Sequence, residues 1–267
     1  MEATLSFFFA VILLLLSPSH ASPSMPFQNH RLLPHSGGAT TTSAANHHKI
    51  SCLSWRLAVE TNNLIKWTLV PAACEHYIAK YMLGPQYQKD CFAVTSIALE
   101  YAKNVTLAAD GKDIWIFDMD ETALSELDYY SEPDVLFGAK KFNETKKNEY
   151  LKEAKTPPLA AVLELYRSLL HLGYKIVFIS GTSESMRQTR ELNMKRAGYH
   201  TWEKLMLKQT SEHGTTSFTY KSKKRTELVK AGYRIIGNMG DQWSDITGSH
   251  VGNRTFKIPN PMYYVPT

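Results

Sequence analysis

Short apolar runs, each stopped abruptly by polar residues, set the pattern of this chain. Ile114-Trp115-Ile116-Phe117 ends in Asp118-Met119-Asp120, and Tyr174 to Ile179 ends in Ser180-Gly181-Thr182-Ser183. Leu205-Met206-Leu207 is briefer, and Arg234 to Met239 ends in Gly240-Asp241. Runs of this length, rich in β-branched and aromatic residues, predict strands buried on both faces. Arg254 to Ile258 adds a last strand. Between them lie helical patterns. Leu159, Val162, Leu163, Tyr166, Leu169 and Leu170 form one stripe, which Gly173 stops. A second helix runs from about Glu184 to Ala197, with Gly198 as its stop. A third opens at Tyr220-Lys221-Ser222, continues through Val229 and ends by Gly232. Helix and strand alternate, so the fold class is α/β with a Rossmann-like parallel sheet.

Ahead of the first strand, Trp55 to Leu107 reads as helical. Pro71 opens a segment with Cys74, Tyr77, Ile78, Tyr81 and Met82 at helical spacing, and Gly84-Pro85 ends it. Asp90 is expected to cap the next helix, with Val94, Ile97, Ala98 and Tyr101 on its packing face. Asp110-Gly111 makes the turn into the strand. After that strand, residues 123–158 show no strand pattern. They form either a cap-like insert facing a substrate or an ordinary surface excursion.

The chain has 267 residues, 43% of them hydrophobic and 21% charged, with a formal net charge of +5. That suits one α/β domain with a cap. No Lys/Arg block has the length of a nucleic-acid footprint, so no nucleic-acid partner is expected. Phe7 to Leu16 is an unbroken apolar run, too short for a stable membrane span, and Ser19-His20-Ala21 follows it. Residues 1–21 therefore read as a signal peptide, despite Glu2 and the absence of Lys or Arg before the run. Residues 22–48, rich in Pro, Gly and Thr, read as a disordered linker or pro-segment. The folded domain occupies 49–267. In the secretory pathway, Cys52, Cys74 and Cys91 are expected to give one disulfide and one odd thiol. Asn104, Asn143 and Asn253 each open an Asn-x-Thr acceptor for N-glycosylation.

The chemistry gathers where the strands end. Asp118 and Asp120 lie two apart, so a strand would point both to one side, at the end where ligands bind in open α/β sheets. Crowded carboxylates repel unless a cation joins them or one is protonated. A hard cation such as Mg²⁺ is the natural occupant. Alone, Asp-x-Asp is also a common polar turn and a metal site in sugar-nucleotide transferases. Ser180 offers a hydroxyl, and Gly181 lets the backbone approach an anion at a helix start. Lys221 at a helix start opposes the dipole unless an anionic site holds it. The nearby Lys223, Lys224 and Arg225 read as solvated. Asp241 is placed to complete a cation's ligands, with Asp245 behind it, holding a metal water or Lys221. Read instead as structure, Asp241 is a helix N-cap. Phosphoryl transfer uses such a set: a nucleophile, a cation, an ammonium and a carboxyl that exchanges protons.

At this point the chain resembles the plant acid phosphatases and vegetative storage proteins of the haloacid-dehalogenase superfamily. The resemblance runs from about Cys52 to Tyr264. It rests on Cys52-x-Ser54-Trp55-Arg56, Phe117-Asp118-Met119-Asp120-Glu121-Thr122, Ser180-Gly181, Tyr220-Lys221-Ser222, Gly240-Asp241-Gln242-Trp243-Ser244-Asp245 and Asn260-Pro261-Met262-Tyr263-Tyr264. It implies a secreted acid phosphatase acting on small phosphomonoesters, or a storage protein on the same scaffold. It also implies Asp118 as nucleophile, Asp120 as general acid/base, and phosphate held by Ser180, Gly181 and Lys221. Mg²⁺ would be bound by Asp118, the Asp120 carbonyl and Asp241, supported by Asp245. Position 182, often Arg in that family, is Thr here. With the resemblance in hand, the disulfide is assigned to Cys52–Cys74, with Cys91 free and buried. The final compartment, cell wall or vacuole, and the oligomeric state, a homodimer included, stay open.

Overall fold

The computed structural model describes residues 50–267, and the expected signal peptide and linker lie outside them. Among these residues the elements run α1 (Cys52–Glu60), α2 (Glu75–Met82), α3 (Pro85–Lys103), β1 (Asp113–Phe117), α4 (Leu127–Tyr130), α5 (Glu144–Lys152), α6 (Ala160–His171) and β2 (Lys175–Ser183). They continue with α7 (Arg187–Arg196), β3 (Lys204–Lys208), α8 (Ser217–Lys230), β4 (Arg234–Gly240), α9 (Trp243–Ile246) and β5 (Arg254–Lys257). The strands form one parallel sheet in the order β3-β2-β1-β4-β5. This is the α/β architecture the apolar runs predict.

Strand alternation divides the core. Ile114, Ile116, Val177 and Ile179 pack with Tyr220 and Leu228 of α8. Trp115, Phe117, Ile176 and Phe178 belong to the larger cluster with Cys91 and Ala98 of α3 and Val162, Tyr166 and Leu169 of α6. Each central strand is thus apolar on both sides, which is why its sequence runs without alternation.

The register fixes the chemistry. Phe117 pairs with Phe178 on one side and with Met239 on the other. β1 and β4 end near this level while β2 runs on to Ser183, and Asp118, Ser180 and Asp241 lie at one edge. The chain order turns back between β1 and β4, a topological switch point where α/β sheets bind ligands.

Two helix readings change. The helix expected to start at Asp90 starts at Pro85, which fits the first helical position because it needs no N–H donor. Asp90 lies inside it and accepts from Tyr81 Oη at 2.8 Å and from Gln86 at 2.7 Å. The buried face is Tyr87, Cys91, Thr95, Ala98 and Ala102, while Ile97 is exposed. Helix α8 likewise begins earlier, with Thr216 accepting from the Thr219 N–H as N-cap. Lys221 then sits in the second turn, which removes the clash with the dipole. Lys224 and Arg225, read as solvated, are buried. Lys224 meets Glu212 at 2.8 Å, and Arg225 donates to the Ser249 carbonyl at 2.9 Å and the Asp245 carbonyl at 2.6 Å.

Cys52 and Cys74 form a disulfide with Cα atoms 5.3 Å apart, tying α1 to the start of α2, and Cys91 is a buried free thiol. Asn104, Asn143 and Asn253 are all exposed. No helix among the described residues is long and apolar enough to cross a membrane.

Candidate active site

A cleft of about 1000 Å³ opens at the carboxyl edge of the sheet. Asp118, Asp120, Gly181, Thr182, Lys221, Asp241 and Asp245 line it. Its far wall comes from the segment after β1, with Glu126, Tyr129, Tyr130, Phe142 and Lys147, and from Tyr263 and Tyr264 near the end of the sequence. Seven residues singled out from sequence thus converge, six of them on the cleft itself. Ser180 is the exception, because it is fully buried.

Lys221 is the positive centre. Its Nζ donates to Asp118 and lies 2.5 Å from Asp245 Oδ1. Burial by itself would lower its proton affinity, but the two carboxylates outweigh it and hold the ammonium charged. Burial lifts the Asp118 carboxyl against the pull of Lys221, and Asp245, Asp241 and Asp120 push it further up. Asp241 is also raised, first by burial and then by Asp245.

Three carboxylate oxygens, from Asp118, Asp241 and Asp245, lie within 4.8 Å of one another. One ammonium does not neutralise three buried carboxylates, and hard oxygen donors at this spacing fit a divalent cation. The orientation of Asp241 agrees. Its Oδ2 accepts from Gln242 at 2.8 Å, Asn260 at 2.7 Å and Tyr263 at 3.1 Å, whereas Oδ1 has only Thr122 at 3.2 Å. Such outer hydrogen bonds fix a ligand and leave one oxygen for the metal. Asp245 is more committed: Oδ1 takes Lys221 and Oδ2 takes the Gln242 N–H at 2.9 Å. It folds back onto the end of β4 because residue 240 is Gly. A Cβ there would stand 2.3 Å from Asp245 Oδ2. The cap of α9 is Gln242 rather than Asp241, which leaves Asp241 for the cleft.

Asp120 is held on both oxygens. Oδ1 forms an ion pair with Arg190. Oδ2 accepts from Thr182 Oγ1 at 3.2 Å and lies 3.4 Å from Ser180 Oγ, which is itself 3.0 Å from Thr182 Oγ1. A hydroxyl donates once, so Ser180 to Thr182 to Asp120 is a consistent chain. Burial alone would raise Asp120, but the Arg190 and Lys147 charges override it and bring it to about 2. Its side chain is therefore held in place and ionised by its neighbours. Ser180 serves this chain from behind, leaving Gly181 and Thr182 on the cleft wall.

Arg190 and Lys147 escape a motif search. The available signal is periodicity: Arg190, Asn193 and Met194 share the buried face of α7, followed by Ala197 just past its end, so a charge falls at a buried helical position. Lys147 shares the buried side of α5 with Leu151 in the same way.

Comparison with known proteins agrees with this geometry. The family model for "HAD superfamily, subfamily IIIB (Acid phosphatase)" matches residues 38–266. Acid phosphatase 1 of Solanum lycopersicum is 45% identical over 217 residues, covering 81% of this chain and 84% of that protein. The Stem 28 kDa glycoprotein of Glycine max is 40% identical, covering 84% of this chain and 88% of its own. Vegetative storage protein 1 of Arabidopsis thaliana is 40% identical, covering 81% of this chain and 80% of its own. The class C acid phosphatase of Bacillus anthracis shares the fold, with a TM-score of 0.59 and 19% identity over 71% of this chain and 85% of that one. With a sheet, a carboxyl-edge cleft and an aspartate cluster of this kind, the chain belongs to the HAD-superfamily subfamily IIIB acid phosphatases.

Proposed function

We propose that this chain is a Mg²⁺-dependent phosphomonoesterase that works through an aspartyl phosphate on Asp118. The observation that carries the reading is the position of Asp118. It opens onto the cleft at the end of the central strand, paired with a buried ammonium and beside two further carboxylates.

As the carboxylate, the form its pairing with Lys221 favours, Asp118 attacks phosphorus, forming an O–P bond as the ester oxygen departs. Asp120 gives that oxygen its proton, then takes one from the water that cleaves the aspartyl phosphate, releasing inorganic phosphate. In the free site Asp120 is a carboxylate. The proton it lacks arrives with the substrate, because a phosphomonoester is a monoanion below its second pKa of about 6. That need for the monoanion suits an acid phosphatase. The Gly181 N–H and Lys221 bind and orient the phosphoryl oxygens, while the Thr182 hydroxyl stays on Asp120. Asp118, the Asp120 carbonyl and Asp241, with Asp245 in support, would hold Mg²⁺, which when bound offsets phosphoryl charge.

The apolar N-terminal run, the disulfide and three exposed sequons support a secreted, glycosylated protein of the wall or vacuole. The relatives described as stem glycoproteins point the same way. A panel of phosphomonoesters assayed with Mg²⁺ tests the activity. Wild type should turn over and lose activity reversibly with chelator, while Asp118→Asn, nearly isosteric, should fold and be inactive. Full turnover in Asp118→Asn refutes the covalent route. An inert wild type leaves the storage role suggested by the vegetative storage relatives.

A further inference from the structure

Asp120 follows a strand rather than lying in one. The next residue, Glu121, takes a positive φ of 56°, so the chain turns sharply there. A carboxylate on such a turn needs outside support to meet a leaving oxygen. Arg190 supplies it from α7, seventy residues away. Its side chain is fully buried and does not line the cleft, so substrate does not reach it. Among the described residues, Nε and Nη1 have no hydrogen-bond partner, and Asp120 is the one group its guanidinium bonds. A buried guanidinium with one anchor is costly as structure alone. On the cleft wall, Glu126 forms an ion pair with Lys147 of α5, and Lys147 also sits over the rings of Tyr129 and Tyr130. Asp120 with Arg190 and Glu126 with Lys147 thus form two adjoining ion pairs from separate elements, with Arg190 alone set back from the cleft.

We infer that Arg190 is the positioning residue of this site, fixing the Asp120 carboxylate in line with the leaving-group oxygen, with the Glu126–Lys147 pair adjoining it on the cleft wall. This rests on the proton-transfer role proposed for Asp120. Misplacing a catalytic group by about 1 Å can cost 100-fold. Its penalty should fall on esters whose alkoxide leaves poorly, because those depend most on the proton.

The test compares wild type, Arg190→Met and Arg190→Lys on an alkyl phosphate and on p-nitrophenyl phosphate, with thermal melts of each. Arg190→Met should lower kcat for the alkyl ester about 10- to 100-fold and for the aryl ester far less, with KM little changed. Arg190→Lys should fall between. In an Asp120→Asn background, Arg190→Met should have no further effect on either ester. Equal losses on both esters, wild-type rates, or a full additional loss in the Asp120→Asn background would overturn the inference. So would an unfolded Arg190→Met together with an Arg190→Lys identical to wild type, since a structural cation then explains both. An inert wild type would instead strike the phosphatase reading itself.

Discussion

Replacing Lys221 with Met should destabilise the protein strongly, and in a pH-dependent way. The Lys221, Asp118 and Asp245 side chains are 7%, 9% and 3% exposed, so water does not substitute for the lost ammonium. Removing one partner of a buried ion pair costs about 3–5 kcal/mol. For a domain of this size, each kcal/mol moves Tm by about 2–4 °C, so the fall should be about 6–20 °C near pH 7. The stranded carboxyls would bind protons more tightly folded than unfolded. Their contribution is then intact below the unfolded pKa of about 3.9 and is lost as pH rises through the folded value. The deficit against wild type should therefore shrink as pH falls from 7 toward 4. Mg²⁺ should raise Tm more in the variant than in wild type, because the cation then meets less competing charge. Calorimetry across pH, with and without Mg²⁺, measures all of this. A Tm within about 2 °C of wild type at pH 7, below the smallest fall expected, would refute the claim that Lys221 neutralises buried carboxylates.

Other expectations are simpler to check. Gly240→Ala places a Cβ 2.3 Å from Asp245 Oδ2 and should cost about 1–3 kcal/mol, read by denaturant melts. Reducing Cys52–Cys74, which links positions 22 apart, should cost roughly 3 kcal/mol; unreduced peptide mapping should find that pair, with Cys91 protected from alkylation until unfolding. Burial opposes, but Lys224, Lys223 and the Gln209 N–H together bring Glu212 down to about 2. A depressed carboxyl contributes stability above its unfolded pKa and loses it as pH falls through the folded value. Glu212→Gln should therefore flatten the stability loss between about pH 4 and pH 2.

The strand ends were legible because each apolar run stops at its chemistry, and parallel register does the rest. Asp118, Gly181 and Asp241 reach one cleft for that reason, and Lys221 and Asp245 join them from α8 and α9. Helix starts were harder. Asp90 looks like a cap, yet Pro85 suits the first helical position better and Asp90 is needed by Tyr81. Charged residues were hardest, because solvation is a tertiary property. Lys223 is exposed while Lys224, one position on, is buried against Glu212. Arg190 and Lys147 acquire meaning only when α7 and α5 meet Asp120 and Glu126 in space.

The central place of β1 has a consequence for how the chain reaches its native state. One edge of β1 is covered by β2, its neighbour in sequence order, across a single helix-bearing connection. The other edge waits for β4, and the Arg234–Asp113 ion pair that accompanies this pairing joins residues 121 apart. Closing so long a loop is slow compared with local pairing. A half-folded chain therefore exposes the Ile114-Trp115-Ile116-Phe117 edge with unpaired backbone groups, a template for another chain. The docking of β4 seals that edge and brings Asp241 beside Asp118, so the pairing that protects the edge also assembles the carboxylate cluster.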